Sequence, residues 1–223
     1  MPNLPQRAST SQRLLEAATE VFAEYGYRNA RIRDICKRAQ ANVAAVNYHY
    51  RDKEQLYRAV IENAFFSLSD DDPIPRSVID QGIVEQQLYV FVRSLLGQLL
   101  TEGQSAVYAK LIARELVDPS SALEKVIDKG IAPQIELLCT MIRSHVGQNC
   151  SEQAVRRTAT SILGQCLFYY FARPVIDRLQ LEHDLSPASL DEIARHITQF
   201  TRAALSSIPT SDVSPRLTLA GDR

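Results

Sequence analysis

The spacing of the prolines is the feature that most restricts the fold of this chain. After Pro2 and Pro5 the next proline is Pro73, so residues 6–72 contain none. Because proline interrupts helices, this stretch can form helices that are separated only by short turns. Its apolar residues recur at spacings of three and four, which is the period of a helix. The chain has no Asn-Gly or Asp-Gly hairpin turn, so we predict an all-α fold.

Capping residues and turns predict where the individual helices begin and end. In the first part, helix 1 runs from the Ser9–Ser11 cluster to Gly26, and Asn42 and Asp52 cap two later helices. The predicted short helices span 31–39, 43–50 and 53–67. After an acidic, proline-bearing connector at 70–75, further helices are predicted over 80–102, 105–117, 120–146, 151–181 and 186–206, with kinks at Pro133 and Pro174.

Charge is distributed unevenly along the chain and suggests two parts with different partners. The net charge is −1, yet residues 27–53 carry seven basic and two acidic side chains. A basic segment on an otherwise acidic chain is typical of nucleic-acid binding by one part. We predict a DNA-binding domain over 1–57, a larger helical domain over 58–208 and a disordered polar tail over 209–223.

Several classes of function are disfavoured by what the sequence lacks. No apolar run is long enough to cross a membrane, and no apolar stretch follows Arg7, so we expect no signal peptide and a cytoplasmic protein. The chain has no Gly-x-Ser-x-Gly, no phosphate-binding glycine loop and no His-Glu-x-x-His. We therefore expect neither an enzyme nor a metal or other cofactor. Reduced structural thiols are predicted at the scattered Cys36, Cys139, Cys150 and Cys166.

Two short helices joined by the turn at 40–42, and braced by helix 1, predict a helix-turn-helix unit. Its second helix presents small or polar residues that allow close approach to a DNA groove, with Asn47 suited to base edges and the amides at Asn42 and Val43 suited to an anion. The alternative is a three-helix structural unit that binds no DNA. The predicted DNA-binding residues are Arg31, Arg33, Asn42, Val43, Ala44, Ala45, Asn47, Tyr48, His49 and Lys53.

Residues 35–56, ICKRAQANVAAVNYHYRDKEQL, resemble the DNA-binding signature of the TetR family of transcriptional repressors, and LEAATEVFAEYGY at 15–27 matches the preceding helix. The resemblance implies DNA-backbone contacts at Tyr48, His49 and Lys53.

This sequence departs from the family pattern at four positions. The family usually has Thr at Arg31, Ala at Cys36, Gly at Gln40 and often Tyr at Asn47. The departures at Gln40 and Asn47 bear on the geometry of the turn and on the reading of bases.

A second resemblance, in ARELVDPSSA at 113–122, is to the TetR subgroup that includes the CecR regulators. The family resemblance implies a ligand cavity among the middle helices, although aromatic side chains are more often core. The predicted effector-binding residues are Phe65, Tyr89, Arg93, Tyr108, Arg114, Arg143 and Tyr169. For Arg114 and Glu115 we favour structural bracing, with separate partners, because adjacent helical residues point about 100° apart.

The last two long helices carry apolar stripes, and the family resemblance implies that they form a four-helix bundle between two subunits. The alternative is an intramolecular core. The predicted interface residues are Ala159, Ile162, Leu163, Cys166, Tyr170, Leu190, Ile193, Ile197, Phe200 and Ala204.

Together these features predict a homodimeric regulator, a repressor, that binds a palindromic double-stranded DNA operator and is released by a small-molecule effector. A helical ligand carrier or enzyme, and a protein-interaction module that binds no DNA, are the alternatives.

Overall fold

In the computed structural model, the described residues are 9–71, 83–100, 102–146, 150–181, 184 and 186–207, and they contain helices and turns but no strand. This confirms the predicted all-α fold. The helices are α1 Thr10–Asn29, α2 Ile32–Ala39, α3 Val43–Tyr50, α4 Lys53–Asp71, α5 Val84–Leu100, α6 Gln104–Val117, α7 Leu123–Val126, α8 Ala132–Val146, α9 Glu152–Phe171, α10 Arg173–Leu179 and α11 Pro187–Ser206.

The chain forms two compact units. The first comprises Met1–Pro73 and Gln98–Pro133, and the second comprises Ile74–Gly97 and Gln134–Arg223. This partition differs from a single division between residues 57 and 58, because α4 continues to Asp71 and α6 packs on α1 and α4. The segment that contains α6 and α7 therefore belongs to the same unit as the helix-turn-helix.

The core of the first unit is apolar and is built from α1 to α4, α6 and α7. Phe22 is fully buried at its centre and meets the ring of Tyr57 edge-on, with 4.8 Å between ring centroids. Helix α1 begins where the Ser9 hydroxyl accepts a hydrogen bond from the amide of Gln12. Its regular geometry breaks at Gly26, as predicted, where φ is 75°, and one more turn follows to Asn29.

The turn between α2 and α3 adopts a left-handed conformation without glycine. Gln40 has φ 51° and ψ 46°, and the amide of Ala41 donates to the carbonyl of Cys36 at 2.9 Å. This arrangement closes the carboxyl end of α2 in the way that glycine usually allows. The departure at Gln40 therefore leaves the turn intact and places a side chain where one is disfavoured.

Replacing Gln40 by glycine is expected to stabilise the protein by about 0.5–1 kcal/mol. Relief of a left-handed non-glycine residue is worth about 1–2 kcal/mol, and the greater entropy of glycine in the unfolded chain offsets about half of it. Thermal unfolding followed by circular dichroism should show a midpoint roughly 1–4 °C higher. Gln40→Ala keeps the strain and should show no such rise. Equal midpoints for the two variants would contradict the assignment of strain.

Pro133 and Pro174, the two prolines inside predicted helices, have different effects from the kinks predicted for them. Ahead of Pro133 the chain forms a π-helical turn, Ile127–Ile131, in which the amide of Ala132 donates to the carbonyl of Ile127. The Phe65 ring lies directly over Gly130 in this turn, so that a Cβ at Gly130 would overlap it. Pro174 lies in the first turn of α10, and α9 has already ended at Phe171. Proline therefore starts a new helix here instead of bending an existing one.

The core of the second unit is apolar, and an ion pair joins two of its helices. Arg93 of α5 meets Asp191 of α11 at 2.5 Å. Burial raises the pKa of the Cys166 thiol to about 12 and also raises the pKa of the Cys139 thiol, which keeps both thiols protonated and unreactive. The main buried apolar residues are Leu88, Phe91, Val92, Leu96, Leu138, Ile142, Val155, Ile162, Ile193 and Ile197.

Some predicted features lie outside the described residues. They are positions 72–75 of the connector, 80–82 of the following helix, Gly147 after α8, the loop with His183, and the tail over 209–223. Among the described helices, none is both long enough and apolar enough to span a membrane.

Candidate nucleic-acid interface

Helix α3 is capped at its start and is held against the core by two contacts of its inner side. The Asn42 side-chain oxygen accepts from the amide of Ala45 at 2.8 Å, which is the predicted N-cap. Val46 is buried in the core with 1% of its surface exposed. At the other end, the Tyr50 hydroxyl donates to the carbonyl of Ser11 at 2.9 Å. These contacts fix which face of the eight-residue helix is turned outward.

The outward face of α3 consists of Val43, Ala44, Asn47 and Tyr48, which we call the reading face. Tyr48 is 84% exposed and Val43 is 45% exposed. Within the described part of the chain, no hydrogen bond engages the side chain of Asn47, whereas the oxygen of Asn42 is occupied by the cap. Ala45, which was predicted on this face, instead packs half-buried against the core.

Basic side chains lie on the elements that precede and follow α3. Arg31 and Arg33 are exposed at the start of α2, and Arg31 occupies its N-cap position without a side-chain capping bond. The Lys53 ammonium donates to the carbonyl of Arg28 at 3.3 Å and lies 4.8 Å from the centre of the Tyr27 ring. Burial lowers the pKa of Lys53. Lys53 is thus already positioned by protein contacts, while Arg31 and Arg33 point into solvent.

Sequence reasoning missed Arg51, which connects α3 to α4. Its φ of 70° and ψ of −52°, with the amide of Asp52 donating to the carbonyl of Tyr50 at 2.9 Å, define a strained γ-turn. Asp52 then caps α4, as predicted, by accepting from the amide of Gln55 at 2.8 Å. Arg51 is exposed beside the reading face. The signal available in the sequence was a basic residue between a helix end and a capping aspartate.

Arg114 and Glu115 point to different partners, as the spacing predicts. Arg114 donates to the carbonyl of Glu24 at 3.1 Å, beside the break at Gly26. Glu115 is 1% exposed and accepts from the Tyr57 hydroxyl at 2.7 Å and from the amide and hydroxyl of Ser120 at 2.7 and 2.8 Å. Both residues tie α6 to the first four helices, which agrees with the bracing interpretation.

The predicted effector-binding residues divide between the two units. Phe65, Tyr108 and Arg114 belong to the first unit, and Tyr89, Arg93, Arg143 and Tyr169 belong to the second. Tyr108 and Arg114 line separate clefts of about 470 and 430 Å³, and Tyr89 lines one of about 380 Å³.

The arginines of the effector set have protein partners. Arg93 pairs with Asp191, and Arg143 pairs with Glu136 and Glu152 at 2.9 and 2.7 Å. The pKa of Glu152 is lowered by its hydrogen bond from Arg143. Arg93 and Arg143 therefore each join two helices through an ion pair. A ligand that binds either arginine has to compete with its carboxylate partner.

The predicted dimer-interface residues are largely inside the protomer. Six of them are at most 4% exposed and pack inside the protomer, so the interface prediction is wrong for these six and the intramolecular alternative holds. They are Ala159, Ile162, Cys166, Leu190, Ile193 and Ile197. The physical reason is that the most apolar side of an amphipathic helix packs on its own core first. Leu163 and Tyr170 are half-buried, and Phe200 and Ala204 are exposed.

The faces of α9 and α11 opposite the core are open and carry small and aromatic residues. A Cβ added at Gly164 would meet no atom within 4 Å. Phe168 and Phe200 are 52% and 59% exposed. We call the exposed residues Thr160, Ser161, Gly164, Phe168, His196, Phe200 and Ala203 the outer α9–α11 face.

A short helix capped at both ends, seated by Val46 and Tyr50 and presenting an uncharged face between exposed arginines, defines a helix-turn-helix DNA-binding transcriptional regulator. Residues 14–60 match the model of bacterial regulatory proteins of the tetR family, and residues 84–208 match the C-terminal domain of the HTH-type transcriptional dual regulator CecR. The chain belongs to the TetR family and carries the C-terminal domain of the CecR type. It is a transcriptional regulator and not an enzyme.

Individual relatives agree with this assignment. The HTH-type transcriptional dual regulator CecR of Shigella flexneri is 25% identical over 178 residues, 74% of this chain and 77% of the relative. A transcriptional regulator from Rhodococcus sp. Rha1 superposes with a TM-score of 0.64 at 16% identity, covering 90% of this chain and 100% of the other. HlyIIR, a hemolysin II transcriptional regulator, superposes with a TM-score of 0.59 at 22% identity, covering 85% and 97%. Both of these solved structures share the fold of this chain.

Proposed function

We propose that this regulator is a homodimeric repressor that binds a palindromic operator through α3 and leaves it when a small molecule binds. The observation that carries the proposal is the reading face, which is exposed, uncharged and flanked by cations. A helix of this kind fits the major groove, which admits one α-helix. We propose that residues 1–57 bind DNA and that residues 58–208 bind the effector and form the dimer.

Exposed cations around the reading face supply the contacts to phosphate. Among the described residues, Arg31, Arg33, Lys37 and Arg51 form no ion pair, whereas Arg38 is held by Glu20 and Glu24 at 3.2 and 3.4 Å. Unpaired surface cations release counterions from DNA when they bind phosphate, which makes affinity depend on salt. Tyr48 and His49 add polar contacts to the backbone, and Lys53 joins them at the start of α4. Bacterial DNA lies in the cytoplasm, and we therefore propose a cytoplasmic location for this protein.

Two copies are needed because one eight-residue helix reads only a few base pairs. We propose that the outer α9–α11 face pairs with its copy in a partner, with Gly164 and Ala203 allowing the helix backbones to approach. Two-fold symmetry then matches a palindromic operator whose half-sites lie about 34–36 Å apart, or a multiple of that distance.

Effector release requires a mechanical connection to α3, and contacts of α6 and α7 within the first unit support one. Arg28 pairs with Asp118 at 3.1 Å, the Ser121 hydroxyl donates to Glu54 at 2.6 Å, and Lys125 pairs with Glu62. A ligand that binds more tightly to a conformer with a shifted α6 therefore also shifts α1 and α4. The loss of DNA affinity cannot exceed the differential affinity of the ligand for the two conformers.

DNA retention measured across a range of salt concentrations tests the DNA-binding proposal. We expect log affinity to fall linearly with log salt, with a slope near −0.9 for each phosphate neutralised. Arg33→Ala should reduce the magnitude of this slope by about one, and Tyr48→Ala should weaken binding to all duplexes by about tenfold, on the order of one charge-assisted hydrogen bond. Lys129→Ala, an exposed lysine of the same unit, is the matched control and should change neither. Indifference of the wild type to every duplex at low salt would refute the proposal.

A further inference from the structure

We infer that Asn47 reads an adenine in each operator half-site and that Val43 and Ala44 contact the methyl group of a thymine about two base pairs away. The operator half-site is therefore centred on A·T pairs. This inference rests on the proposed function, since it requires that α3 enters the major groove.

The side chain of Asn47 is the free amide of the reading face. It has one donor group and one acceptor group, and within the described chain neither is used by the protein. Adenine presents one acceptor, N7, beside one donor, the N6 amino group, in the major groove, and an Asn amide matches this pair with two hydrogen bonds. Guanine presents two acceptors, so an amide satisfies only one of them. Asn42 cannot take this role because its oxygen is held by the amide of Ala45 at 2.8 Å.

Helix α3 lacks the charged side chains that most often recognise G·C pairs. The segment Val43–Tyr50 reads VAAVNYHY and contains no Arg, Lys, Asp or Glu. Guanine is most often read by Arg or Lys, and the cytosine amino group is read by Asp or Glu. The nearby arginines lie on α2 and in the turn at Arg51, outside the reading face. Their charge serves the DNA backbone, which carries no direct sequence information.

Apolar methyl groups lie one helical turn before Asn47. Val43 is 45% exposed and Ala44 is exposed, at the positions four and three residues earlier on the same face. Four residues of helix rise about 6 Å, which corresponds to roughly two base-pair steps. The thymine methyl is the one apolar group at a base edge in the major groove, and small aliphatic side chains contact it. The reading face thus carries an adenine reader and a thymine-methyl contact at a fixed separation.

The test begins with an operator selected from random duplexes by the full-length wild-type chain. Each adenine is then replaced singly by 7-deazaadenine, which lacks the N7 acceptor, and each thymine by uracil, which lacks the methyl group. We expect one adenine in each half-site whose replacement lowers the affinity about tenfold, and a thymine within about two base pairs whose replacement lowers it about threefold. In Asn47→Ala the deazaadenine effect at that position should disappear, because the hydrogen bond is already absent.

Asn42→Ser is the matched control, since serine also caps helices well. It should keep the full deazaadenine effect, and circular dichroism should show both variants folded. Retention of the effect in Asn47→Ala, or selection of half-sites with G·C pairs alone at the centre, would overturn the inference. Salt-dependent binding with an unchanged base preference in Asn47→Ala defeats only the inference, whereas absence of salt-dependent binding to any duplex defeats the proposed function.

Discussion

Replacing Glu115 by alanine is expected to destabilise the protein by about 3 kcal/mol or more. The carboxylate is 1% exposed and accepts hydrogen bonds from Tyr57 and from two groups of Ser120. Without it the buried Tyr57 hydroxyl and the Ser120 amide lose their partner, and each unsatisfied group costs about 1–3 kcal/mol. The thermal midpoint should fall by roughly 6–12 °C, since 1 kcal/mol shifts a chain of this size by about 2–4 °C.

Two variants separate this role from a general effect of losing a charge. Glu115→Gln keeps the shape and one acceptor, and it should lose about half as much stability as alanine. Glu124→Ala removes an exposed carboxylate of α7 in the same unit and should change stability by no more than about 0.5 kcal/mol. A double-mutant cycle with Tyr57→Phe should give a positive coupling energy. If Glu115→Ala and Glu124→Ala have the same thermal midpoint, the buried carboxylate does not stabilise the contact between α4 and α6.

If the outer α9–α11 face pairs two copies as proposed, replacing Gly164 by phenylalanine is expected to convert a dimer to a monomer while leaving each chain folded. The protomer has open space at this position, and phenylalanine favours a helix more than glycine does. At a paired surface the new ring would separate the two helices. DNA affinity should then fall on the order of a hundredfold or more, because linked binding of two half-sites is lost.

Analytical ultracentrifugation measures the outcome directly, as a mass of one chain of 25.0 kDa or of two. Thr140→Phe places the same ring on the exposed side of α8, which is not part of the proposed pairing face, and should leave a dimer intact. A dimeric Gly164→Phe, or a monomeric wild type, would show that the outer α9–α11 face does not pair. The thermal midpoint of the variant, measured at low concentration, should match that of dissociated wild type.

The sequence was most informative about the helix-turn-helix because its determinants are local. Asn42 and Asp52 cap their helices through amides three residues away, at 2.8 Å in both cases. The exposure of Asn47 and Tyr48 follows from the helical period and from the single large apolar residue on the opposite side, Val46. The helix boundaries over 31–50 were therefore predicted to within about a residue.

The sequence was least informative about the surfaces of α9 and α11. An apolar stripe at helical spacing indicates burial but does not say whether the burying surface belongs to the same chain or to another. The residues Ile162 and Ile193 proved to be in the core of the protomer, and the open side contains Gly164 and Ser161, which no hydrophobic pattern selects. The correction of the predicted interface has this physical origin.

By itself, the order of residues determined that the chain is helical and where α2 and α3 begin and end, because each depends on interactions within a few residues. Only the tertiary structure decided that α6 and α7 share a unit with the helix-turn-helix and that Glu115 is buried and hydrogen-bonded to Tyr57. Those outcomes depend on contacts between segments as many as 58 residues apart. The free energy of such contacts depends on the packing of the whole unit. A local pattern of residues does not reveal that packing.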